Sequence, residues 1–170
     1  MSCLRKLSTF LRNILRRPRS LVMPQPADES SLPGEHRVLR LPAPPKDFVP
    51  EGWRPTWLEL NPSSEDKRHA EQTGRPVRVS VWDATLTTPA QALAFRGRET
   101  IIISGTVASV IAGGAERVVY DRLSPPESER AGADGHAGIE GLLRRDSETK
   151  PQWKQRLQQV ADALTLEGPA

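Results

Sequence analysis

The sequence predicts one small two-layer domain of the α/β or α+β class, with three to four strands and two or three helices, preceded by a proline-rich arm and a basic N-terminal helix. Three observations predict it. Beyond residue 75, apolar residues alternate with a period of two and then recur at helical spacing, so strands and helices follow one another. Ten of the sixteen prolines fall between Pro18 and Pro62, which disfavours regular structure there because each removes a donor and biases its predecessor to extended backbone. The single cysteine, Cys3, allows no internal disulfide framework, so the fold rests on packing and suits a reducing compartment.

The elements follow in chain order. Leu4, Leu7, Leu11, Ile14 and Leu15 recur at helical spacing, Arg5, Lys6, Arg12, Arg16 and Arg17 supply the charge, and Pro18 stops the pattern. This basic amphipathic helix is far short of the ~20 apolar residues a membrane span needs, and it lacks the continuous apolar run of a signal peptide. It fits a surface anchor on anionic lipid, a docking helix for a partner groove, or a transit segment if the source is eukaryotic; Cys3 beside it is a candidate for palmitoylation. Residues 1–33 are read as this helix and a disordered linker, and 34–170 as a single domain whose arm spans 34–75 and whose regular core spans 76–165. The arm carries Val38, Leu39, Leu41, Phe48, Val49, Trp53, Trp57, Leu58 and Leu60, too much apolar surface to leave in water, so it is expected to wrap the domain in extended form. Trp53 and Trp57 are its candidate interface residues.

In the core, Val77, Val79 and Val81 alternate with Arg78, Ser80 and Trp82 in a strand ended by Asp83. Thr87 or Thr88 caps a helix with Pro89 in its first turn, and Leu86, Ala90, Leu93 and Ala94 line one side. T-I-I-I-S is a second strand, Val107, Val110 and Ile111 keep helical spacing, and R-V-V-Y-D is a third strand. Residues 122–135 form a loop, H-A-G-I-E-G-L-L supplies an edge or final strand with Ala137, Ile139 and Leu143 inward, and D-S-E-T-K is a solvated turn before a helix over 151–164. Trp153, Leu157, Val160, Ala161 and Leu164 stripe that helix.

The stretch G-A-D-G-H-A-G-I-E-G, residues 132–141, holds the candidate chemistry. Asp134, His136 and Glu140 differ by even numbers, so a strand projects them from one face, and a helix still pairs His136 with Glu140. A His/Glu pair can act as base and orienter, and three such groups can ligate a divalent metal. Against that, no nucleophile elbow, metalloprotease helix, P-loop or dinucleotide fingerprint is present. The structural reading, in which the glycines serve a turn, is preferred, and no metal site is assigned.

The segments V-R-V-S-V-W-D-A-T-L-T-T-P-A-Q-A-L-A-F, R-V-V-Y-D-R-L-S-P-P and G-H-A-G-I-E-G resemble short bacterial proteins that pair S-L-T-T-P with a later V-V-H-D-P-L-P and an H-A-x-I-x-G segment. The resemblance spans about residues 36–164. It implies a shared domain and no particular activity. Tyr120 stands where a histidine is frequent in that pattern, and Arg122 replaces a proline, so histidine chemistry at position 120 is excluded here.

The net charge of +3 is a property of the tail: the first 27 residues hold six basic side chains and no acid, leaving 18 basic against 21 acidic, or −3, for the remainder. Polyanion binding by the body is therefore disfavoured. The reading that follows is a non-enzymatic accessory or protein-interaction module whose basic helix docks on a protein partner or an anionic membrane surface, in the cytoplasm or peripheral to the inner membrane face (mitochondrial for a eukaryotic source). A small metal-dependent or acid/base enzyme using Asp134, His136 and Glu140 is the first alternative, and nucleic-acid contact through the tail the second and weaker. No cofactor and no small-molecule substrate is implied.

Overall fold

The computed structural model describes residues 27–42, 52–96 and 101–167. The N-terminal helix residues Leu4 to Arg17, Cys3, and Phe48 and Val49 of the arm lie outside the described residues.

The chain builds a mixed α+β domain around a six-stranded antiparallel sheet. Its elements are β1 (Arg37–Arg40), α1 (Ser64–Thr73), β2 (Val79–Asp83), α2 (Pro89–Arg96), β3 (Ile103–Thr106), α3 (Val107–Ala112), β4 (Arg117–Tyr120), β5 (His136–Glu140), α4 (Lys150–Asp162) and β6 (Thr165–Leu166). The strand order is β4-β5-β2-β1-β3-β6. Strands β2, β3 and β4 run parallel to one another, as the alternating strand–helix pattern implies, but none of them are neighbours. β1 pairs antiparallel with both β2 and β3, and β5 with both β2 and β4, so every ladder is antiparallel.

Two of these strands depart from expectation. β1 comes from the proline-rich arm: Pro33 and Pro42 flank it without entering it, and Val38 and Leu39 are both buried, one on each face. The first part of the arm is thus built into the middle of the sheet, while Trp53 and Trp57 farther along pack against the core. β5 is interior, not an edge, and all five of its residues are buried.

Strand alternation divides the core. Val38, Val79, Val81, Ile103, Val118, Ala137 and Ile139 face α3, α4 and the 3-10 turn Trp57–Leu60. Leu39, Leu41 and Trp82 face α2, which contributes Ala92 with Leu93 and Phe95 beside it. That face of α2 differs from the one expected, since Ala90 and Ala94 are exposed. Trp82 is the cause: its ring meets Phe95 edge-on at 5.8 Å and draws that side of the helix inward.

Helix caps are where the sequence dictates them. Thr88 accepts from Gln91 N while Gln91 Oε1 accepts from Thr88 N, and Thr149 and Gln152 repeat the arrangement at α4. Ser63 and Asp66 do the same for α1, a helix with only Ala70 buried and therefore no apolar stripe to announce it. At the end of β5, Gly141 adopts φ +80° and turns the chain, so Leu142 rather than Leu143 enters the core. D-S-E-T-K is more than a solvated turn: Glu148 receives Arg156 Nε at 2.6 Å and Nη2 at 2.9 Å. Arg156 ties it to α4 and to the carbonyls of Gly141 and Leu143.

The domain also begins earlier than residue 34. Leu32 is buried in the core, and residues 29–32 run along the free edge of β4 through Glu29 N to Tyr120 O, Tyr120 N to Ser30 O and Leu32 N to Val118 O, each 2.9 Å. This strap satisfies backbone groups that an edge strand would otherwise present to water or to other chains. Among the described residues no helix is long and apolar enough to cross a membrane.

Candidate functional site

A cleft of about 390 Å³ opens where β4 and β5 meet the loop of residues 121–135. Its floor is Tyr120, at the end of β4, and His136, at the start of β5. Leu123, Pro125, Ser128, Ala133 and Asp134 come from the loop, and Asp28 closes the side contributed by the strap. The volume is at the small end of the ~300–1,000 Å³ typical of ligand sites. It suits one or two side chains better than a large cofactor.

His136 is 7% exposed. Its Nδ1 donates to the carbonyl of Asp121 at 2.8 Å, and its ring stands edge-on to Trp82 at 5.5 Å. Asp28 carries two partners, the Arg122 backbone N–H at 2.8 Å and Arg75 Nη2 at 2.8 Å. Burial pushes the Asp28 carboxyl up, but those hydrogen bonds and the guanidinium outweigh it and hold it below the usual carboxylate range.

The three residues nominated from the sequence are not brought together. Asp134 sits in a short 3-10 turn, Ala133–Gly135, and is exposed on the rim of the cleft beside His136. Glu140 shares the His136 face of β5 but lies four residues, or about 13 Å, along the strand. There it accepts from Arg78 Nε at 2.8 Å and Arg117 Nε at 2.5 Å with its side chain 4% exposed. Arg78 in turn reaches Asp121 at 2.7 Å and Glu29 at 3.1 Å, so this network, buried at Arg78 and Glu140 and open at Glu29 and Arg117, links the strap, the start of β2, β4 and β5. Among the described residues no group of three or more His, Cys, Asp or Glu is placed to hold a metal ion. Trp53 and Trp57, the candidate interface residues, are half-buried against the core. Trp57 meets Trp153 edge-on at 6.0 Å, and the Lys154 ammonium lies 4.4 Å from its ring centre.

A second polar cluster escaped the sequence reading. Asp83, fully buried at the end of β2, accepts from Tyr120 Oη at 2.5 Å, from His36 Nδ1 at 2.9 Å, and from Thr85 through its N–H at 2.9 Å and its hydroxyl at 2.8 Å. Burial raises the Asp83 carboxyl, and the four donors more than reverse that, so it ionises below its usual range. Burial and the adjacent carboxylate both push Tyr120 well above the ordinary tyrosine value. Asp83 ends β2 as the sequence indicates, and its bonds from Thr85 cap the strand end. Its partnership with His36 spans 47 residues, and no local period signals it. Chemically, the cluster fixes the Tyr120 ring as a neutral wall of the cleft.

Comparison with protein-family models, with curated proteins and with solved structures gives no match.

Proposed function

We propose that the chain is a non-enzymatic interaction module, in which the folded body offers the cleft to a protein segment and the basic N-terminal residues supply a docking or membrane-surface contact. One observation carries this reading: the groups available for acid/base work are already used to hold the fold. Glu140 serves two arginines from a buried position, and His136 fastens the start of β5 to the loop. The acidic body and the separate basic tail support the division of labour. The reading assigns the protein a cytoplasmic location, peripheral to an anionic membrane face, and the charge division is what supports it.

His136→Ala tests the enzymatic alternative. The reading expects a loss of roughly 1–3 kcal/mol from one hydrogen bond and one aromatic contact, with function in the native host kept while the variant is folded. Loss of function at unchanged stability would instead favour acid/base chemistry by His136 with Asp134. For the tail, vesicle co-sedimentation is expected to show stronger binding to anionic than to neutral lipid, and equal partitioning would remove the membrane contact.

A further inference from the structure

No further inference is drawn: the strongest candidate, the His36–Asp83–Tyr120 cluster at the end of the sheet, belongs to the site already described, where four donors satisfy Asp83 within the fold, and nothing among the described residues shows what the remaining ring nitrogen of His36 would meet.

Discussion

A methyl group added at Gly138 would lie 2.7 Å from Cβ, 2.8 Å from Cδ and 3.0 Å from Cγ of Arg78. The stem of that arginine runs across the strand at this point to reach Glu140, Asp121 and Glu29, so it cannot yield without giving up those partners. Gly138→Ala is therefore expected to destabilise the domain by roughly 1–3 kcal/mol, read as a lower urea midpoint at unchanged slope. Gly135 is subject to the same kind of crowding, with Thr87 Oγ1 2.2 Å from the position of an added Cβ. At residue scale, then, the glycines in G-A-D-G-H-A-G-I-E-G are explained by what crosses over them. The sequence shows that they are unusual, but their neighbours come from 25 to 60 residues away. The even spacing of Asp134, His136 and Glu140 was legible, and the strand does put His136 and Glu140 on one face. What the spacing lacks is distance along that strand, and the presence of Arg78 and Arg117 to claim Glu140.

At the scale of elements, the strap of residues 27–32 decides where the domain begins. It gives the free edge of β4 three backbone hydrogen bonds, buries Leu32, and brings Asp28 and Glu29 to Arg75 and Arg78. Removing residues 1–26 is expected to leave the thermal midpoint of the body nearly unchanged, because the strap with its three backbone hydrogen bonds and the Leu32 side chain is kept. Removing residues 1–33 is expected to cost roughly 2–5 kcal/mol, chiefly from the Leu32 side chain, the partly exposed ion pairs of Asp28 and Glu29 adding little. Thermal scans of the two truncations side by side distinguish this boundary from one at residue 34, which predicts the same midpoint for both. The reason the strap and β1 were hard to read is physical. Each is four to six residues long, lies among prolines, and takes its stability from strands far along the chain. The period of two in β2 and the stripe of α4 were legible because those elements bury a regular set of their own apolar residues. Helix α1 was missed for the converse reason, since it buries almost nothing and only its cap, S-S-E-D, marks it.

For the whole molecule, carboxylates held ionised by the fold set the response to acid. Asp28 at the strap, Asp83 beneath the cleft and Glu148 before α4 all ionise below their usual ranges. Glu148 is the most displaced, from 4.5 to about 2, first because of its hydrogen bonds from Arg156 and then because of the Arg145 backbone N–H, with burial opposing only weakly. A depressed carboxylate favours folding in full above its unfolded value, and that contribution drains away as the pH falls towards the folded one, because the unfolded chain takes up the proton first. Tyr120 works in the opposite sense: its raised value means that stability is complete below its ordinary 10.0 and falls as the pH rises beyond it. The urea midpoint is therefore expected to be flat from about pH 5 to about pH 9, and to decline on both sides for different reasons. Glu148→Gln separates them. The amide still accepts a hydrogen bond from Arg156 but cannot titrate, so the variant is expected to be less stable than the parent at pH 7, to lose less on going from pH 5 to pH 2, and to keep the same alkaline limb. Parallel acid limbs for parent and variant would mean that the Glu148–Arg156 pair contributes nothing to the linkage, and would shift the acid response to Asp28 and Asp83, the two carboxylates that fasten the strap and the cleft floor to the sheet.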